Sequence, residues 1–325
     1  MRALSRIALT TMLAAPIAVG TGVAPSIADA QDFVRIATAG SGGNYYRLGS
    51  GLASIWNDTV EGVQASVQAT GGSVENLDLL ADQEVEIAYL AGGVGIQAYE
   101  NTGTFEDRPA DRYQGLRSIG TVYPNPQWFL AMEWAPEIES IRDLEGMRVA
   151  VGMAGGQGEA WWRMTMDHLG WTYDDIEAEY TFHDAAIDQV RNRQIDAVVS
   201  PDAPGSATIQ QMMDTGFARI IDIDEDIIEF FDESGLDYPY TVSAQYAPGR
   251  DEPVETFASP ITFSTHEGVS EDLVYELTKS MFENRERLIE VHPLAELMTI
   301  EDALDGLPFP LHPGAERFYE EQGVL

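Results

Sequence analysis

Apolar positions along this chain change period repeatedly, from two in short runs to about three and a half in longer ones, with glycines at the changes. Phe33 to Ala37 alternates as a strand, Gly40-Ser41-Gly42-Gly43 interrupts it, and Tyr45 to Trp56 continues with helical spacing. Val63 to Ala69 alternates again, Thr70-Gly71-Gly72 turns the chain, and Ser73-Val74-Glu75-Asn76 opens a helix reaching Leu80. Glu86 to Leu90 predicts a third strand, Gly92-Gly93 a third turn, and Val94 to Tyr99 a third helix. Repetition of one strand-turn-helix unit predicts an α/β fold, a parallel sheet with helices on its faces.

A second series follows on the same plan. Met147 to Val151 reads as a strand, Ala154 to Gly158 as a glycine loop, and Glu159 to Leu169 as a helix. Tyr173 to Tyr180 leads into another strand, Ala185 to Arg193 is helical, and Asp196 to Ser200 is a strand stopped by Pro201 and Pro204. Ile220 to Ile223 is a further strand and Tyr238 to Pro253 is rich in loop residues. Ile261-Thr262-Phe263 resumes a strand, and Glu271 to Val291 reads as one long amphipathic helix. Two series predict two lobes, with lobe I from 31–124 and 255–325 and lobe II from 125–254. Trp128 follows the crossover segment Tyr123-Pro124-Asn125-Pro126-Gln127, where it either roofs a pocket or packs the hinge. Glycine turns at strand C-termini face one another across a cleft, which is where open α/β sheets bind ligands. Helix N-termini there carry unpaired N–H groups and a partial positive charge, so they accept a carboxylate or phosphate without a basic side chain.

The first thirty residues read as an export signal. Arg2 and Arg6 make a basic start, Ile7 to Val19 is a short apolar stretch, and Ala28-Asp29-Ala30 is a small-x-small cleavage pattern. Pro16 and Gly20 interrupt an apolar run that would need about 18 residues to span a bilayer. The expectation is a periplasmic protein beginning near Gln31, without stable membrane insertion. A mature chain of about 295 residues exceeds what one core usually organises, which agrees with two lobes.

Charge narrows the partners. The chain has 54 acidic and 18 basic residues, and Lys279 is its one lysine. Loss of Arg2, Arg6 and Asp29 takes the formal charge from -36 to about -37. Such a balance excludes nucleic acid as a partner, since phosphate contacts need a basic face. Dense carboxylates with so little lysine predict a surface adapted to high salt, where screening removes self-repulsion. Zero cysteines exclude a disulfide framework, a thiolate nucleophile and lipid attachment.

Enzyme signatures are thin. There is no Walker A lysine, no Gly-x-Ser-x-Gly elbow and no His-Glu-x-x-His pattern. Gly93-x-Gly95-x-x-Ala98 matches a loose dinucleotide fingerprint but sits at the third unit, not the first turn where that fingerprint belongs. His168, His183, His266, His292 and His312 are scattered without metal-ligand spacing. Asp174-Asp175 and Asp222-Asp224 read as solvated surface, and the Trp161-Trp162 pair as core with one ring able to reach the cleft. No catalytic residue, metal or cofactor is expected.

Ala37-Thr38-Ala39-Gly40-Ser41-Gly42-Gly43-Asn44-Tyr45-Tyr46, with Leu48-Gly49, and Ala69-Thr70-Gly71-Gly72-Ser73-Val74-Glu75-Asn76-Leu77 form a specific pair of motifs. Asn101-Thr102-Gly103, Leu169 to Asp175 and Gly306 to Ala315 add later landmarks. Together they resemble the TAXI-type solute receptors of tripartite ATP-independent periplasmic (TRAP) transporters, over essentially the whole mature chain. The resemblance implies a type II periplasmic-binding-protein fold with a ligand cleft between lobes. It also implies capture of a small organic anion or amino acid, of the glutamate or 2-oxoglutarate class, for delivery to a TRAP membrane permease. Carried over by position, the ligand contacts are Gly40, Ser41, Gly42, Asn44 and Tyr45 in the first loop, and Gly72, Ser73 and Asn76 at the second helix start. Gly92 follows the third strand, Gln127 lies at the crossover, Gly156, Gln157 and Gly158 lie in the lobe II loop, and Asp202 follows Pro201.

Three positions depart from the family. Ala91-Gly92-Gly93 replaces a common Gln-Ser-Asp, Gly156-Gln157-Gly158 replaces Ser-Gly-Thr, and Ser200-Pro201-Asp202-Ala203-Pro204 replaces Thr-Ala-Gly-Ala-Pro. Arg47 stands where a proline is frequent. A pocket so changed does not inherit the family's ligand, because polar sites reject analogues that leave their groups unpaired. A receptor signalling to a membrane sensor kinase is the alternative function, and an enzyme on the same fold is a third that no motif supports.

Overall fold

The computed structural model describes residues 31–41, 43–154, 157–181 and 184–325, which carry ten strands and ten α-helices. The export signal expected over 1–30 lies outside the described residues, as do Gly42 and Gly156.

Lobe I begins with three parallel strands, β1 (Asp32–Ala37), β2 (Val63–Gln68) and β3 (Ile87–Ala91). Each leads into a helix: α1 (Asn44–Thr59), α2 (Ser73–Ala81) and α3 (Gly92–Glu100). Helix α1 buries Leu48, Leu52, Ile55 and Trp56, a spacing of three and four that lays one apolar stripe on the sheet. The expected third turn at Gly92-Gly93 does not form, because α3 starts at Gly92 directly from β3.

Strand β4 (Leu116–Met132) then crosses to lobe II, where β5 (Arg148–Ala150), α4 (Gln157–Leu169), β6 (Glu177–Glu179), α5 (Asp184–Arg191) and β7 (Ala197–Pro201) follow. Lobe II continues through α6 (Ala207–Asp214), β8 (Ala218–Ile221), α7 (Glu225–Glu233) and β9 (Tyr238–Val242). The segment read as loop from Tyr238 thus contains a strand, paired antiparallel with the returning strand β10 (Val254–His266). The helix expected over Glu271 to Val291 is two, α8 (Glu271–Glu283) and α9 (Arg285–Val291), parted at Asn284. Helix α10 (Pro313–Gln322) closes the chain, with the His312 ring accepting from the Gly314 N–H and Gly323 ending it at φ 75°.

The sheet order is β2-β1-β3-β10-β4-β7-β5-β6, with β8 beside β4 and β9 beside β10. Strands β4 and β10 run antiparallel from Leu116↔His266 to Pro126↔Ala258, and Pro124 faces Pro260 within that pairing. Both crossings therefore lie in one two-stranded ribbon. The expected lobe boundaries at 124/125 and 254/255 fall inside β4 and at the first residues of β10. Lobe I packs around Trp56, Tyr89 and Phe263, and lobe II has one core around Phe231 and Phe257 and another around Trp128 and Leu130. Among the described residues no helix is long and apolar enough to cross a membrane.

Candidate functional site

A cleft of about 480 Å³ opens at the carboxyl ends of the strands of both lobes. From lobe I it is lined by Ala39 after β1, by Gly43, Asn44 and Tyr45 where α1 begins, and by Gly71 after β2. Tyr123 and Asn125 of the β4 crossover form its floor-side wall. From lobe II come Gly152, Met153 and Ala154 after β5, Gln157 and Gly158 at the start of α4, and Pro201 and Asp202 at the end of β7. Helix α1 has Gly43 as its N-cap with no side-chain cap hydrogen bond, and its first residues Gly43, Asn44 and Tyr45 line this space.

The lobe I wall is backed by aromatic rings. Tyr45 stacks on Tyr89 at a centroid distance of 5.0 Å and an interplanar angle of 14°, and Tyr89 meets Phe263 at 4.1 Å. Burial pushes the Tyr45 hydroxyl above its ordinary pKa, and a hydrogen bond with Ser73 offsets part of that rise. Ser73 in turn accepts from the Ala91 N–H at 3.0 Å, which ties Tyr45 to the end of β3. Burial likewise raises Tyr123, with smaller contributions from Tyr45, Tyr89 and Asp202, so both phenols of the wall stay protonated.

On the other side Asn125 Nδ2 donates to Gln157 Oε1 at 3.1 Å, joining the crossover to lobe II. Asp202 is 7% exposed. Its carboxylate accepts from the Ala203 N–H at 2.9 Å and the Ser206 hydroxyl at 2.6 Å. Its own N–H donates to Pro126 O, and its carbonyl accepts the Trp128 indole N–H at 2.7 Å. The described lining contains no Lys, Arg or His.

Asn44, Tyr45, Gln157, Gly158 and Asp202 therefore converge on one cleft, as residues singled out in the sequence. The others stand elsewhere. Gly40 and Ser41 are exposed beside the first loop, and Gly40 accepts from the Gly43 N–H. Gly72 flanks the lining residue Gly71. Ser73 lies behind Tyr45, and Asn76 is fully buried, donating to Thr38 O and Tyr89 O and accepting from the Thr70 hydroxyl. Gly92 packs on the crossover, where an added Cβ would come within 2.6 Å of the Pro260 ring. Gln127 is 5% exposed and donates to Trp128 O. Gly158 also has a packing reason, since a Cβ there would lie 2.8 Å from Pro201 Cδ.

Trp128 is buried in the second core of lobe II and is not among the residues lining the cleft. Arg47 is exposed and outside the lining. Trp161 packs edge-on against Phe257 at 5.0 Å and donates to Asp237 Oδ2 at 2.8 Å. Gly95 of the dinucleotide-like run lies against Pro308, with 2.7 Å to a would-be Cβ, so that glycine serves packing. Sequence reasoning did not find Tyr123, Asn125, Met153 or Pro201. The proline flanks of Asn125 and the glycine-rich run around Met153 were the available signals.

Solved structures share this architecture at low identity. PhnD1 from Prochlorococcus marinus, determined in complex with methylphosphonate, superposes with a TM-score of 0.55 at 10% identity, covering 90% of this chain and 99% of that one. The periplasmic sulfonate-binding protein SsuA from Methylobacillus flagellatus KT superposes with a TM-score of 0.51 at 9% identity, covering 91% and 96%. At such identities the likeness shows the fold, a two-lobed periplasmic-binding-protein fold with its cleft between the lobes. Residues 36–323 match one family model over nearly all of the described chain, and the protein belongs to the NMT1-like family.

Proposed function

We propose that the protein is an extracytoplasmic receptor that captures a small carboxylate-bearing solute in this cleft and hands it to a TRAP-type membrane permease. The observation that carries the proposal is the cleft itself, about 480 Å³ at the strand ends of both lobes with the uncapped start of α1 in its wall. That volume suits one small molecule, and an uncapped helix N-terminus is a carboxylate site that needs no cation. Asn44, Asn125 and Gln157 supply neutral donors and acceptors to orient the solute, and the Tyr45 ring gives it an apolar face. Of the structural neighbours one is named a sulfonate-binding protein and the other was determined in complex with methylphosphonate, and both names refer to small oxyanions. The TRAP partner rests on the motifs from Ala37 to Tyr46 and from Ala69 to Leu77.

The test is a thermal-shift titration of the chain from Gln31 against amino acids, 2-oxo acids, dicarboxylates and aromatic acids, at low and high NaCl. A ligand that binds only the native state raises the melting temperature, by an amount set by the logarithm of one plus its concentration over its dissociation constant. The expected outcome is a saturable rise with at least one small carboxylate, lost in Tyr45→Ala. The unliganded melting temperature is expected to rise with NaCl as the acidic surface is screened. Silence across the panel at both salt levels would remove the carboxylate-receptor function.

A further inference from the structure

Within the receptor function just proposed, and resting on it, we infer that Met153 sets the cleft's choice of solute: a carboxylate carrying an apolar body the size of an aromatic ring, in preference to dicarboxylates of the glutamate and 2-oxoglutarate class. Met153 is 59% exposed, and of the large apolar side chains left exposed among the described residues it is the one that lines the cleft. Its place is prepared by the backbone. Gly152 follows β5 at φ 90°, a conformation that favours glycine, and turns the chain, with Met153 and Ala154 next to it on the cleft edge. A thioether side chain is flexible and polarisable, and it packs well against aromatic rings.

The rest of the wall divides in the same sense. Its polar side chains are largely engaged within the protein: Asn125 donates to Gln157, and the Asp202 carboxylate accepts from Ala203 and Ser206. The Tyr45 hydroxyl is hydrogen-bonded with Ser73 behind the wall, so what Tyr45 offers the cleft is its ring. Pro201, at the end of β7, adds an apolar surface on the lobe II side. Six of the lining residues are glycine or alanine, so the cleft of about 480 Å³ keeps room for a ring between these groups. A solute whose carboxylate lies at the start of α1 thus has Tyr45, Pro201 and Met153 for its remaining part. A ring placed against them gains burial. A second carboxylate placed against them gives up water without gaining a hydrogen bond from any of the three side chains, which weakens binding.

The experiment uses matched pairs that share a head and differ in the tail: L-glutamate with L-phenylalanine, 2-oxoglutarate with phenylpyruvate, and succinate with 3-phenylpropanoate. Each is titrated calorimetrically into the chain from Gln31 at neutral pH in high NaCl, where repulsion of dianions by the acidic surface is screened and the tail decides. In every pair that binds, the ring-bearing acid is expected to bind at least about tenfold tighter, with a more negative heat-capacity change, as burial of one ring requires. In Met153→Ser, a change at an exposed position, that ratio is expected to fall at least about threefold. A smaller wild-type ratio overturns the apolar class and leaves the receptor function standing. A smaller fall in the variant overturns the role of Met153. Failure of every acid to bind overturns both the inference and the receptor function beneath it. A thermal melt of the unliganded variant checks that it folds, and the wild-type ratios decide the solute class in either case.

Discussion

The two halves of the cleft are built in different ways. On the lobe I side, Tyr45 rests on Tyr89 and Phe263, Ser73 secures its hydroxyl, and the fully buried Asn76 ties β1, β3 and the Thr70 turn together. Most of that side is backbone on a rigid support. The lobe II side also contains Gly152, Ala154 and Gly158, but its wall adds Met153, Gln157, Pro201 and Asp202 at element ends, and Met153 is 59% exposed. Under the proposed receptor function the comparison suggests a division of labour, with lobe I as the platform for a ligand and lobe II as the side whose side chains differ most from the TAXI pattern. Two of the three departures from the TAXI pattern, at 156–158 and 200–204, fall on the lobe II side.

The comparison is tested most severely where the lobes meet. Asp237 is 6% exposed, accepts from the Trp161 indole of α4 and lines a small cavity with Ser259 of β10, and burial pushes its pKa from 3.8 up to about 7. The folded state therefore holds this proton more tightly than the unfolded one. Stability from the neutral acid is fully present below about pH 4 and falls as pH rises to about 7, by about 4 kcal/mol at most. In Asp237→Asn that decline is expected to be absent, so the difference in unfolding free energy between wild type and variant should change by this amount across the pH range, as read by denaturant unfolding. An unchanged pH profile would mean the junction relaxes enough to solvate the carboxylate.

The platform is challenged by Asn76→Ala, which strips the donors from Thr38 O and Tyr89 O in a fully buried place. A loss of about 1–3 kcal/mol in unfolding free energy is expected, chiefly from Tyr89 O losing this donor, since Thr38 O keeps the Thr70 hydroxyl. A loss near zero would show that the lobe I side is not rigidly supported. The smallest effect belongs to lobe II. Gly158→Ala sets a methyl 2.8 Å from Pro201 Cδ, so the start of α4 must shift from the end of β7. About 1–2 kcal/mol of destabilisation is expected from such overpacking, read as a lowered midpoint in urea.

Legibility in the sequence follows the same divide. Strands β1 to β3 announce themselves because alternation, glycine and helical period succeed one another within a few residues, and α1 carries an unbroken apolar stripe. Strand β4 gives no such signal, since Pro124 and Pro126 read as strand breakers although the chain stays extended through them. Strand β9 is hidden for the same reason by Pro239, and the break at Asn284 lies inside a stripe that continues on both sides. At the site, the glycine loops point to Asn44, Tyr45 and Gln157, and the resemblance to the TAXI receptors points to Asp202. Tyr123 and Asn125 reach the cleft through a crossover between lobes, and that arrangement has no local pattern. Ser73 and Asn76 stand in the motif that best matches the TAXI receptors, yet they act one layer behind the wall, which only packing reveals.

The facing pair Pro124 and Pro260 has a mechanical consequence. Proline lacks an N–H, so this ribbon of two long strands loses rungs at the point where the chain passes from one lobe to the other. A ladder with missing rungs is weakened there against torsion, and register shifts at Ile261/Thr262 and Phe263/Ser264 interrupt it again on the lobe I side. Asn125 sits between the softened rung and the lobe II contact with Gln157, so any swing of lobe II would be felt at that hydrogen bond before it reached either core.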